Sequence, residues 1–283
     1  MEYTLAVYHK DCIDGTSAAA VTLRAFPNAQ CFPLPHAYTA EDLDAVIAQA
    51  TSHATLYTVD CALGVKEFLA RGVPVVTIDH HKGMQAQLEA LSREYANYTY
   101  VFDNEKSGAS LAWSYFFPEE KEPDLIKYVE DADLWKWKYG KDTKDVNNYL
   151  SMFRNDPKAM LALIEGGLDE VRAKGEIISM YADKEIAQHI LLPAITLRVG
   201  AQLVPAYNIT SYESACGNTL SEKLDKAVAL FTIRGAQVKL SFRSKEGQQP
   251  TSLELAASLG GGGHVHAAGA TISLQEFIGM IVQ

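Results

Sequence analysis

Cysteine is scarce and scattered in this 283-residue sequence, and Cys12, Cys31, Cys61 and Cys216 form no CxxC pair. That excludes a disulfide-built scaffold and a zinc ribbon as the basis of the fold. Long apolar runs are also missing, and none approaches the ~18–20 residues of a membrane span. The opening Met1-Glu2-Tyr3-Thr4-Leu5-Ala6-Val7 has no basic cluster and no cleavage pattern, so the expectation is a reduced, cytoplasmic protein. Positive charge is in deficit: 25 Lys and Arg against 35 Asp and Glu give a net charge of −10. Without a basic stripe, the chain is not expected to hold long nucleic acid or an anionic membrane through its overall field. An anionic substrate would need a local reversal of charge, and bound divalent cations supply the strongest one.

The sequence does contain alternation. Strand-like runs at Leu5–His9, Leu56–Asp60, Val73–Asp79 and Tyr98–Phe102 are separated by helical patterns near Thr16–Phe26, Ala40–Gln49, Val65–Ala70 and Met84–Tyr95. Strands alternating with helices predict βαβ units and a parallel sheet covered on both faces. Residues 122–185 read as helical, with Gly175–Ile190 as a connecting helix. After Pro193 four β-rich runs follow: Ala194–Val199, Val204–Asn208, Val228–Arg234 and Val238–Arg243. The expected fold class is α/β: a parallel-sheet domain over 1–185, a helical linker, and a smaller α/β domain over 195–283.

The first three strands end in polar clusters: His9 to Asp14, Asp60, and Asp79-His80-His81. A lone Asp at a strand end is usually a helix cap or turn former. Three consecutive strands ending in Asp or His at one sheet edge are harder to explain that way, because ligands bind beyond the carboxyl ends of parallel strands. Imidazole and carboxylate together suit Mn, Fe or Zn.

The ordered set His9-Lys10-Asp11-Cys12-Ile13-Asp14-Gly15, Asp60, Asp79-His80-His81 and Asp131 resembles the motifs of the DHH phosphoesterase superfamily. The segment Gly260-Gly261-Gly262-Gly263-His264-Val265-His266-Ala267-Ala268-Gly269 resembles the glycine signature of its partner, DHH-associated domain 1. The resemblance implies that Asp60 bridges two metals, that Asp14, His80 and Asp131 complete one site, and that His9 belongs to the other. Asp79 would support the site, and His81 would sit beside the scissile phosphate. It further implies two Mn²⁺ ions, with Mg²⁺ or Co²⁺ as substitutes.

Cys12 departs from the pattern, standing where a carboxylate is usual. It is a soft ligand favouring Zn or Fe, or a small buried residue without a role; alternatively Asp11 reaches in from a shifted loop. Asp131 and Asp133 compete for the fourth motif, since two residues two apart cannot face one ligand, and similarity favours Asp131. The glycine run reads as a tight loop whose N–H groups, at Gly261, Gly262 and Gly263, converge on an anion. Arg243, with Ser244, would clamp a terminal phosphate, and His264 would meet a base or that phosphate.

The expected activity is metal-dependent hydrolysis of short nucleotide phosphate esters: short single-stranded oligonucleotides (an oligoribonuclease), linear dinucleotides or a nucleoside 3′,5′-bisphosphate. Exopolyphosphatase, cyclic-dinucleotide phosphodiesterase and a metal-poor nucleotide-binding module are the alternatives. Of macromolecular partners, only a second copy of the chain is left open.

Overall fold

The computed structural model describes residues 3–35, 37–50 and 54–282. The chain divides into two compact units, Met1–Ser179 and Met180–Gln283. The division falls inside the long helix Leu168–His189, a few residues before the expected boundary.

In the first unit the strands are β1 (Tyr3–His9), β2 (Gln30–Leu34), β3 (Ala54–Val59), β4 (Val75–Asp79) and β5 (Tyr98–Phe102). They form one sheet in the order β2-β1-β3-β4-β5, and every neighbouring pair is parallel. The helices are α1 (Ile13–Ala25), α2 (Ala40–Ile47), α3 (Val65–Ala70), α4 (Gln85–Glu94), α5 (Gly108–Phe116), α6 (Asp124–Asp133), α7 (Lys141–Leu150), α8 (Pro157–Gly166) and α9 (Leu168–His189). Both faces of the sheet are covered, as parallel strands require. One core joins Tyr8, Val59 and Ile78 to residues of α1 and α5–α8, among them the fully buried Ala18, Ala19 and Ala20. The other joins Leu5, Val7, Leu56 and Val75 to α2, α3 and α4.

This strand order reverses direction between β1 and β3, opening a crevice at their carboxyl ends, where such sheets bind ligands. β1 ends at His9 and β3 at Val59, so His9, Cys12 and Asp60 lie at that crevice.

In the second unit, β6 (Ile195–Val199), β7 (Gln202–Asn208), α10 (Glu213–Leu224), β8 (Val228–Arg234), β9 (Gln237–Arg243) and α11 (Ser252–Ala257) are followed by β10 (Gly262–His264), β11 (Ala267–Ser273), α12 (Leu274–Met280) and β12 (Ile281–Val282). The seven strands form a mixed sheet, β10-β11-β9-β8-β7-β6-β12, in which only β7 and β8 pair in parallel among the described residues. No helix among the described residues is long and apolar enough to cross a membrane.

Candidate metal centre

Three carboxylates converge on one imidazole nitrogen. His80 Nε2 lies 3.1 Å from Asp60 Oδ1, 3.5 Å from Asp133 Oδ2 and 3.8 Å from Asp14 Oδ2. Three groups offer donor atoms within 4.8 Å of one another: His9 with Cys12 and Asp60, Asp60 with His80 and His81, and Asp14 with His80 and Asp133. Asp60 is common to the first two, as a bridging ligand would be. Asp14, Asp60 and Asp79 are almost wholly buried, at 1%, 1% and 0% exposure.

The backbone explains how so many acids share this space. Asp60 leaves β3 in the left-handed conformation, φ 56°. A Cβ on Gly108 would lie 2.6 Å from the Asp60 Cβ, and one on Gly15 would lie 3.0 Å from Asp60 Oδ2. Glycine at both positions lets α1 and α5 close on the carboxylate. Ser107 caps α5, and the helix aims its first N–H groups at Asp14: Gly108 donates to Oδ2 at 2.6 Å and Ala109 to Oδ1 at 3.0 Å. The positive end of a helix thus holds Asp14 in place. The sequence reading does not include this helix start; the Ser-Gly pair before an apolar run is the capping signal that announces it.

Asp79 supports the two histidines. Its Oδ1 accepts the N–H groups of His80 (2.8 Å) and His81 (3.3 Å), and His81 Nδ1 at 2.7 Å. The bond from Nδ1 raises the His81 pKa against the opposing effect of burial.

The fourth-motif expectation is corrected by the structure. Asp131 does not join the cluster. Its carboxylate accepts the N–H groups of Lys138 (2.8 Å) and Tyr139 (3.2 Å) and the Thr143 hydroxyl (2.5 Å). Burial would raise its pKa, but these bonds hold it below 3.8. Asp133, the last residue of α6, is the carboxylate turned to His80, about 200° around the helix from Asp131. Asp131 instead fastens the turn that follows, whose Trp135 and Trp137 are both left-handed.

Nor does Asp11 reach in. It is exposed and bound to Asn155: its N–H donates to Asn155 Oδ1 at 2.8 Å, and Asn155 Nδ2 donates to Asp11 Oδ1 at 2.5 Å. Asn155 also donates its N–H to Thr16 Oγ1, clamping the loop after β1 from 144 residues away. No local sequence signal announces that partnership. Cys12 is the N-cap of α1, its Sγ accepting the Gly15 N–H at 3.4 Å.

The electrostatics fit divalent cations. Asp60 Oδ2 and Asp79 Oδ2 are buried and meet no hydrogen-bond donor among the described residues. Burial, with Asp14 beside it, pushes the Asp60 pKa well up, and the same two causes push Asp133 up to about 7. Burial and then the Asp60 and Asp14 carboxylates push the Cys12 thiol up as well. Protein alone cannot sustain this much negative charge out of water. A hard cation facing Asp14, Asp60, His80 and Asp133 would relieve it, and the donor set suits such an ion.

In the second unit, Arg243 ends β9 with Nη2 on Ser214 Oγ at 2.9 Å and Nη1 on its own strand at the Phe242 carbonyl. A Cβ on Gly217 would sit 2.6 Å from the Arg243 Cγ, so glycine there makes room for the arginine stem. Ser244 is turned inward: its hydroxyl is bonded to Ser252 N and Oγ, each at 3.0 Å, and at 6% exposure it offers nothing to a substrate. The glycine run is not a loop with converging N–H groups. Gly260 and Gly261 close α11 by donating to Ala257 and Ala256, and Gly262–His264 form the edge strand β10, paired with β11. At Gly261 and Gly263 a side chain is excluded by the close approach of β11: a Cβ would be 2.1 Å from the Gly269 carbonyl oxygen at the first and 2.7 Å from that of Ala267 at the second. His264 is exposed on that edge.

Comparison with known proteins bears on the fold and on the second unit. Residues 208–283 match the DHHA1 domain. The fold resembles that of exonuclease RecJ bound to manganese, with a TM-score of 0.53 at 16% identity, covering 98% of this chain and 87% of that one. It also resembles a pGpG-specific phosphodiesterase from Vibrio (TM-score 0.51, 14% identity, 97% and 94% covered). An uncharacterized protein of Acanthamoeba polyphaga mimivirus is 33% identical over 63 residues, 22% of this chain and only 14% of the viral protein. The architecture is shared with exonuclease RecJ and with the pGpG-specific phosphodiesterase. The DHHA1 match is confined to the second unit, and the solved structures share the fold of the whole chain.

Proposed function

We propose that this chain is a divalent-metal-dependent hydrolase of short nucleotide phosphate esters: short single-stranded oligonucleotides, linear dinucleotides or a nucleoside 3′,5′-bisphosphate. The observation that carries this reading is the convergence of Asp14, Asp60 and Asp133 on His80 Nε2, with Asp60 shared by the neighbouring His9 and Cys12 group. That proteins of this fold include an exonuclease and a pGpG-specific phosphodiesterase supports a phosphodiester substrate. The net charge of −10 argues against long strands.

His9, Cys12, Asp14, Asp60, His80 and Asp133 would hold the cations. When bound, these supply Lewis acidity at the phosphoryl oxygens and a nucleophile ionised near neutral pH. Asp60, common to two donor groups, ties them into one centre. Asp79 holds His81 by Nδ1, so that Nε2 is the nitrogen left to meet the substrate. As the phosphorus–oxygen bond to the leaving group breaks, protonated His81 gives its Nε2 proton to the departing oxygen. Arg243, held by Ser214, and the exposed His264 are assigned to a terminal phosphate and a base.

The test is a panel in manganese: a dinucleotide, a pentanucleotide RNA, a nucleoside bisphosphate, a cyclic dinucleotide and polyphosphate. Turnover among the first three is expected. Turnover of polyphosphate or the cyclic substrate alone would replace this reading, and none at all would leave a binding module.

A further inference from the structure

We propose that Cys12 is a metal ligand, and that the subsite it forms with His9 and Asp60 takes a thiophilic cation, zinc or its analogue cobalt, in place of a second manganese. The inference rests on the metal-centre reading above and adds the chemical class of one ion.

Capping alone does not account for a cysteine here. Ser, Thr, Asp and Asn cap helices better than a thiol, and any of them would bond the Gly15 N–H. What cysteine adds is sulfur, a soft donor that a bound cation holds as its thiolate. The Gly15 N–H already points at Sγ, 3.4 Å away.

A second, independent observation aims a ligand atom at the same place. Asp60 is 1% exposed and its Oδ2 has no hydrogen-bond donor, while Oδ1 is taken by His80. Gly15 brings the first turn of α1 against this free oxygen: a Cβ there would be 3.0 Å from Oδ2 and 2.8 Å from the His9 carbonyl oxygen. Cys12 Sγ, a His9 ring nitrogen and an Asp60 oxygen lie within 4.8 Å of one another. That span suits bonds of about 2.0 Å to nitrogen and oxygen and about 2.3 Å to sulfur around one ion. The alternative carboxylate, Asp11, is held away by Asn155.

The donor sets therefore differ. One imidazole, one thiolate and a share of Asp60 form a soft set, whereas Asp14, Asp133, His80 and the other share of Asp60 form a hard one. Soft thiolates select zinc, and carboxylates accommodate manganese and magnesium. On ligation the S–H bond breaks, its proton passes to water, and the sulfur electron pair binds the cation.

The test is titration of the metal-free full chain with cobalt, followed by absorption without substrate. A sulfur-to-cobalt charge-transfer band in the near ultraviolet is expected, together with visible d–d bands. In Cys12→Ser the charge-transfer band is lost and d–d bands remain; serine is a preferred N-cap, so the helix start is kept, and circular dichroism checks the fold. In Cys12→Asp the band is also lost, and competition between zinc and manganese shifts toward manganese. Bound cobalt without a charge-transfer band in the natural protein, or an equal band in Cys12→Ser, overturns the inference and leaves the phosphoesterase reading intact. No cobalt binding at all overturns both.

Discussion

Asp79 Oδ1 accepts the His81 Nδ1 bond at 2.7 Å while also taking the backbone N–H groups of both histidines. One buried oxygen thus sets the backbone course after β4 and the orientation of the half-buried His81 ring. In Asp79→Asn the side chain keeps its shape but loses the charge. Turnover should fall about 10–100-fold, the usual cost of removing an outer partner from such a site. Metal affinity, read by calorimetry, should fall far less than in His80→Ala. A larger loss of metal than of turnover would mean that Asp79 is itself a ligand.

Asp131 and Asp133 should separate cleanly. Asp133→Asn is expected to weaken metal binding and turnover while leaving the melting temperature of the metal-free protein unchanged or higher, because its repulsion with the Asp14 carboxylate is relieved. Asp131→Asn should lower stability by about 1–3 kcal/mol, since three donors lose a charged acceptor. Its pKa is lowered in the fold, so the stability it supplies is present above 3.8, its unfolded value, and is lost as pH falls through the lower folded value. The melting difference from the natural protein should therefore shrink on acidification toward that range. The reverse pattern would restore Asp131 as the ligand.

Gly108→Ala opposes helix propensity. Alanine in a helix ordinarily gains up to about 1 kcal/mol over glycine, yet here its Cβ would meet Asp60 at 2.6 Å. We expect destabilisation of about 1–3 kcal/mol by overpacking, with weakened metal binding, both read by thermal melting with and without manganese. A stabilised variant with normal metal affinity would show that α5 is not pressed against the centre.

Asn155→Gly removes the clamp on Asp11 while tolerating the left-handed backbone at that residue (φ 64°). The subsite containing His9 and Cys12 should lose affinity and the one containing His80 should not, which two-step metal titration resolves. Uniform loss would assign Asn155 to general stability.

Much of this was legible in the sequence, for stated reasons. Strands β1, β3 and β4 are apolar because both faces are buried, and each runs into acids or histidines at its end. β2 was missed because Pro33 interrupts it, a residue tolerated only on an edge strand. The glycine run differs from the expected tight loop because composition cannot tell such a loop from a helix end and edge strand pressed against a neighbouring strand. Similarity favours Asp131 over Asp133, and the helical phase that turns Asp133 to His80 is a tertiary fact outside the motif. Asn155 lay hidden for the same reason, its partner being 144 residues away.

The central claim is that His80 and the carboxylates around it hold the ion on which phosphoester hydrolysis depends. The most direct measurement is mononucleotide or phosphate release from a dinucleotide by the natural protein and by His80→Ala, each with manganese and with chelator. The account predicts turnover only for the natural protein with manganese, while both proteins melt as folded chains. Turnover by His80→Ala near the natural rate, or turnover unaffected by chelator, would contradict it.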